Sequence, residues 1–123
     1  MIYGHKIKFG DLGERVAKNY LIRQGYEILD TNYKTKLGEI DIVAKEDDIL
    51  VFVEVKTRSS RSFGLPQESV NFKKQNRIMR MGLLYMQKRG LNMTWRIDVV
   101  GIVMDGKTHK VESIELIRNA VVR

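Results

Sequence analysis

At 123 residues, 43% of them apolar, the chain has the size and composition of one domain with its own core. It contains no cysteine, which excludes disulfides and thiolate zinc sites, and only His5 and His109 offer imidazole, so a metal site here would be built from oxygen ligands suited to Mg2+ or Mn2+. Lysine and arginine outnumber aspartate and glutamate 22 to 15, a net charge of +7 that points towards a nucleic-acid partner. No apolar run is long enough to span a membrane, and Met1-Ile2-Tyr3-Gly4-His5-Lys6 lacks the apolar stretch of a secretory signal, so no membrane partner and a cytoplasmic location are expected.

Residues 1–10 read as a basic arm, and residues 11–123 as a single domain. Asp11 to Gln24 reads as a helix. Asp11 can be its N-cap, with Glu14 three positions on as in a capping box, and Gly25 is a C-terminal stop. Leu12, Val16, Ala17, Tyr20 and Leu21 share its apolar face. Three strands follow, Tyr26–Tyr33, Leu37–Lys45 and Ile49–Thr57, the last two joined at Glu46-Asp47-Asp48. The third is apolar on both faces, as a central strand covered by helices should be. A polar loop, Arg58–Gly64, leads to Pro66 and a long helix from Gln67 to Arg89 closed by Gly90. Thr94–Met104 and Lys110–Leu116 complete the chain as a hairpin turned at Asp105-Gly106. The order is α-β-β-β-α-β-β, an α/β domain with helices against a sheet.

The segments that carry chemistry are Gly38-Glu39-Ile40-Asp41-Ile42 and Val53-Glu54-Val55-Lys56, where three carboxylates and a lysine interrupt apolar strands. Unpaired charge in such strands is costly. If Asp47-Asp48 form a two-residue turn, paired positions sum to 95, which sets Asp41 opposite Glu54 and Glu39 opposite Lys56 on one side of the hairpin. Opposed carboxylates repel, and a divalent ion between them removes the conflict while activating water and polarising a phosphoryl oxygen. Lys56 beside it can orient that water or stabilise developing negative charge. The plainer alternative is a Glu39–Lys56 ion pair with Asp41 and Glu54 facing solvent.

Asp41 followed by Glu54-Val55-Lys56 resembles the split D…ExK signature of the restriction-endonuclease-like nucleases. The surrounding residues are more specific. Gly13-Glu14, Tyr20-Leu21, Gly25-Tyr26-Glu27-Ile28-Leu29, Asn32-Tyr33, Gly38-Glu39-Ile40-Asp41, Val51–Arg58, Phe63-Gly64 and Asn119-Ala120 resemble the YraN-type family of uncharacterised bacterial proteins, which is similar to archaeal Holliday-junction resolvases. Arg96-Ile97-Asp98-Val99-Val100 resembles that family's Arg-Phe-Asp block, with Ile97 in place of phenylalanine.

The resemblance implies a restriction-endonuclease-like fold with a central mixed five-stranded sheet. It also implies a metal-dependent nuclease acting on DNA, with branched or junction DNA as a candidate substrate, and with Glu14, Asp41, Glu54 and Lys56 catalytic. Asp41, Glu54 and the Val55 carbonyl would hold Mg2+ or Mn2+, and Glu39 would support Lys56. Arg58 and Arg61 follow the ExK strand and are candidates for gripping a phosphate backbone, as are Lys73 and Arg77 of the basic stripe Lys73, Arg77, Arg80; Gln67 could line the site. A solvated face is the alternative for the stripe, and an ion pair for Arg96 and Asp98. Symmetric junction cleavage would require a homodimer. A non-catalytic nucleic-acid-binding module on the same fold, or a scaffold whose charge serves only solubility, are the competing functions.

Overall fold

A computed structural model of the chain describes residues 9–59 and 71–120. The elements are α1 (Phe9–Arg23), β1 (Glu27–Thr35), β2 (Gly38–Glu46), β3 (Ile49–Ser59), α2 (Phe72–Arg89), β4 (Thr94–Met104) and β5 (Val111–Ile117). They form one five-stranded sheet in the order β1-β2-β3-β4-β5, with β3 and β4 parallel and every other neighbour antiparallel. The single parallel pair follows from α2, which carries the chain from the end of β3 back to the start of β4. The expected α/β class, mixed sheet and element order are therefore present. No helix among the described residues is long and apolar enough to cross a membrane.

Among the described residues, each face of the sheet carries one helix. Ala17 and Leu21 of α1 pack with Ile42, Ala44, Val51, Val53, Val100 and Ile102. Ile78, Met81, Tyr85 and Met86 of α2 pack with Ile40, Val43, Leu50, Phe52 and Ile97 on the other side. Burial of β3 on both faces, from Leu50 to Val53, accounts for its continuous apolar run. Helix α2 lies close to the sheet at Gly82, where an added Cβ would fall 2.3 Å from the Phe52 ring.

Several boundaries differ from expectation. Helix α1 starts at Phe9, so Asp11 lies inside its first turn and does not cap it, and Phe9 and Gly10 are helical where an arm was expected. Asn71 is extended (φ −82°, ψ 176°) and its side chain accepts the Lys74 N–H at 2.8 Å, so it caps α2 where an uninterrupted helix from Gln67 was expected. Gln67 itself and Arg61 lie outside the described residues. The β4–β5 connection runs from 105 to 110, not through a two-residue turn. The Asp105 carboxylate accepts the N–H groups of Lys107 and Thr108, which builds a wider loop closed by Asp105 N–H to the Lys110 carbonyl.

Candidate functional site

The β2–β3 hairpin pairs Glu46 with Ile49, Val43 with Phe52 and Ile42 with Val53, so paired positions sum to 95 across Asp47-Asp48 as expected. Asp47 accommodates the turn with a left-handed φ of 52°. The ladder then stops at Ile42–Val53, although β3 continues beside β4 as far as Ser59–Met104. The two strands fork, and the expected cross-strand pairs Asp41–Glu54 and Glu39–Lys56 do not form. At the fork the Asp41 carboxylate accepts the Val55 N–H at 2.8 Å. A side chain thus takes the amide that an antiparallel neighbour would have used.

The fork coincides with a break in side-chain alternation. Ile40 packs under α2 and Ile42 under α1, although residues two apart in a regular strand share a face. On the neighbouring strand Thr31 pairs with Ile42 and Tyr33 with Ile40, and Asn32 between them is left-handed, with φ 51°. Asparagine tolerates that conformation better than most residues. The irregularity lets acidic groups from several elements meet.

Glu14 comes from α1. Gly13 permits its approach: a Cβ there would fall 1.9 Å from Thr57 Oγ1, so only glycine lets the first turns of α1 lie against β3. Glu14, Glu39 and Asp41 each bring a carboxylate oxygen within 4.8 Å of the others, and all three are half-buried. The Asn32 side-chain amide donates one hydrogen to Glu14 (2.7 Å) and one to Glu39, tying the helix to β2. Glu39 is therefore part of the acidic group. Among the described residues the expected Glu39–Lys56 ion pair does not form.

Glu54 lines the same cavity as Glu39 and Asp41, together with Lys74 and Arg77 of α2, and forms an ion pair with Lys74. The Asp41 carboxyl is pushed up to about 7, first by burial and then by the negative charge of Glu54, against the lowering effect of the Val55 N–H. Glu14 is also raised, first by burial and then by Glu39, Asp11 and Glu54, with the Asn32 hydrogen bond opposing. Among the described residues, four carboxylates thus meet with one paired lysine, an excess of negative charge in a partly desolvated cleft.

The remaining expected residues fall around this cleft. Lys56 is exposed and lines a neighbouring cavity with Phe9, Thr57, Arg58, Ser59 and His109. Arg77 reaches the acidic cavity, whereas Lys73 and Arg80 sit on the exposed face of α2. Sequence reasoning missed Asn32 as a bridge between carboxylates and Lys74 as the partner of Glu54. Asn32 carried a usable signal, a polar residue within the first strand; Lys74 carried none that separated it from Lys73. The Arg96–Asp98 pair is structural: Asp98 is fully buried and accepts from Arg96 Nε (2.9 Å), the Tyr26 hydroxyl (2.7 Å) and the Asn119 N–H (2.9 Å).

Residues 13–102, which include every part of the acidic group, match the family described as "Uncharacterised protein family UPF0102". The chain belongs to this family. A UPF0102 protein of Caldicellulosiruptor bescii is 52% identical over 116 residues, covering 90% of this chain and 94% of that protein. One from Alkaliphilus metalliredigens is 48% identical over 106 residues, covering 85% and 92%. The expected kinship with a family of uncharacterised bacterial proteins is thus met, by UPF0102 relatives along most of their length. Among solved structures, Pyrococcus furiosus SfsA in complex with Ca2+ aligns over 93% of this chain and 64% of its own, at 13% identity and a TM-score of 0.35. That likeness is too loose to carry an argument about fold or ligand.

Proposed function

We propose that this UPF0102 protein is a divalent-metal-dependent nuclease of the restriction-endonuclease-like class, hydrolysing phosphodiester bonds of nucleic acid, with branched DNA as the first substrate to test. One observation carries the reading: Glu14, Glu39 and Asp41 from two elements bring oxygens within 4.8 Å of one another, with Glu54 alongside. The donor set fits a hard cation. It is all oxygen, its negative charge exceeds the cations paired with it, and burial and mutual repulsion push Asp41 up to about 7, a conflict that a divalent ion relieves.

Asp41, with Glu14 and Glu39, would hold Mg2+ or Mn2+. Glu54 and the Val55 carbonyl would be further oxygen ligands at the fork. When bound, such an ion makes water a better nucleophile and withdraws charge from a phosphoryl oxygen. Lys56, exposed two residues beyond Glu54, orients the attacking water and stabilises charge on the phosphate. Arg77 lines the cavity that holds Glu54, Arg58 lines the cavity that holds Lys56, and both would contact the backbone of the nucleic acid, with Lys73 further out on α2. The net charge of +7 supports an anionic substrate. Symmetric junction cleavage would further require two copies of the chain.

The test is a panel of plasmid, single-stranded and four-way-junction DNA incubated with Mg2+ or Mn2+. Wild type should cut at least one substrate only with metal, and Asp41→Asn and Glu54→Gln should not. Salt-sensitive binding that needs no metal and survives both substitutions, without cleavage, would replace this reading with a non-catalytic binding module.

A further inference from the structure

One ion pair in the acidic cavity lies outside the roles assigned above. Lys74 is the third residue after the Asn71 cap, so it belongs to the first turn of α2, a turn that contains no acid. A cation there opposes the helix dipole, and Lys73 beside it adds to the conflict. Helix stability therefore does not explain the residue. Its contact does: the ammonium is paired with Glu54, whose side chain is only 12% exposed, while the lysine side chain is 32% exposed. The Asn71 carboxamide oxygen accepts the Lys74 N–H at 2.8 Å and fixes the backbone from which the chain reaches across. Lys74 is thus the one cation ion-paired to the acidic group among the described residues, and it engages the carboxylate that the Glu14, Glu39 and Asp41 cluster leaves out.

Resting on the metal reading given above, we propose that Lys74 is a built-in counter-cation that a divalent ion displaces from Glu54, and that the displaced ammonium, beside Arg77, then becomes a positioning group for the substrate phosphate. Without metal the pair offsets the repulsion among the four carboxylates. With metal, Glu54 can turn to the cluster, and the flexible lysine stem can swing within the cavity it shares with Arg77. No covalent bond changes; one cation exchanges for another on the same carboxylate.

The exchange is tested by Mn2+ titration of the full chain, followed by the electron-spin-resonance signal of unbound Mn2+. Lys74→Gln removes the competitor and should tighten Mn2+ binding by roughly threefold or more. Lys73→Gln, an exposed neighbour of equal charge, should tighten it by less than about 1.5-fold. Lys74→Arg should bind Mn2+ no more tightly than wild type. Equal effects of Lys74→Gln and Lys73→Gln, or weaker Mn2+ binding in Lys74→Gln, would overturn the exchange while leaving the metal reading intact. Absence of Mn2+ binding in wild type and Lys74→Gln alike would overturn both.

The phosphate half is read from the affinity of Lys74→Gln for a short DNA duplex relative to wild type. The loss should be below about twofold in EDTA and grow to roughly threefold or more in Ca2+, with a salt slope reduced by about one. A loss of the same size with and without Ca2+ would show that Lys74 contributes only background charge. None of these measurements requires cleavage, so a protein that binds metal but cuts nothing still decides the matter.

Discussion

Two groups of wholly or partly buried acid lie against this sheet, and they are treated in opposite ways. Glu46 and Asp98 meet Arg96 and Arg118: Arg96 bonds both carboxylates, Arg118 bonds Glu46, and the Tyr26 hydroxyl and Asn119 N–H complete the shell of Asp98. Two negative charges face two positive ones. Glu46 is accordingly lowered, first by its hydrogen bonds from Arg118, while the Tyr26 hydroxyl is raised, first by burial and then by Asp98. At the β2–β3 fork, Glu14, Glu39, Asp41 and Glu54 meet with Lys74 alone paired among the described residues, and Asp41 rises to about 7. The first group is closed, with its charges satisfied within the chain. The second is left incomplete, as a site must be if it is to receive a cation. Buried charge by itself therefore does not mark a functional site; the mismatch between charge and partner does.

The sharpest separation of the two groups is by activity. Asp41→Asn and Glu54→Gln should lower metal-dependent cleavage by at least about a thousandfold with the fold intact by circular dichroism, since the ion supplies several kcal/mol of charge stabilisation. Asp98→Asn should do the reverse. It leaves Arg96 short of a buried partner and should destabilise the domain by about 3 kcal/mol in urea unfolding, lowering cleavage only as far as it lowers the folded fraction. Next comes Gly13→Ala. Its Cβ would collide with Thr57, so we expect a loss of about 1–3 kcal/mol, and reduced Mn2+ affinity as Glu14 is pushed from the cluster.

The fourth comparison is the pH dependence of stability without metal. Asp41 keeps its proton in the folded protein up to about pH 7, whereas the unfolded chain releases it near 3.8. Between those values the unfolded state binds fewer protons, so stability falls as pH rises from about 4 to about 7, and above 7 the full penalty is present. Asp41→Asn should remove that slope and be the more stable protein at pH 8, by an amount on the order of 1 kcal/mol, when melted in EDTA. Saturating Mg2+ should reverse the ranking. A wild type whose metal-free stability did not fall across this window would break the contrast between the two groups. The smallest effect is at Arg118, whose side chain is 48% exposed: Arg118→Ala should cost less than about 1 kcal/mol, because Arg96 still holds Glu46.

Much of this could be read from residue order. The apolar run at Leu50–Val53 announced a central strand, and Gly90 announced the end of α2, where it takes φ 63°. The sum of 95 across Asp47-Asp48 is a consequence of a two-residue turn and held for every pair as far as Ile42–Val53. It failed beyond, because a side chain can replace a backbone partner, and no alternation rule contains that option. Asp41 captured the Val55 amide, Asn32 turned left-handed on the adjacent strand, and the alternation inverted between Ile40 and Ile42. The same irregularity took Glu39 away from Lys56 and towards Glu14.

The sequence by itself determined the elements, the hairpin register and which residue types are expensive to bury, because these depend on neighbours two to four positions away. It also carried the resemblance that singled out Glu14, since shared motifs record a site without its geometry. What the tertiary structure alone decided is who offsets whom. Asp98 and Asp41 are both acids in apolar strands, and locally only Arg96, two positions before Asp98, distinguishes them. One is closed by Tyr26 and Asn119, 72 and 21 residues away. The other is packed against Glu14 and Glu54 with too little positive charge. Electrostatic energy depends on distance through space and on desolvation, so the same residue type becomes a structural anchor in one place and an open metal-binding candidate in the other.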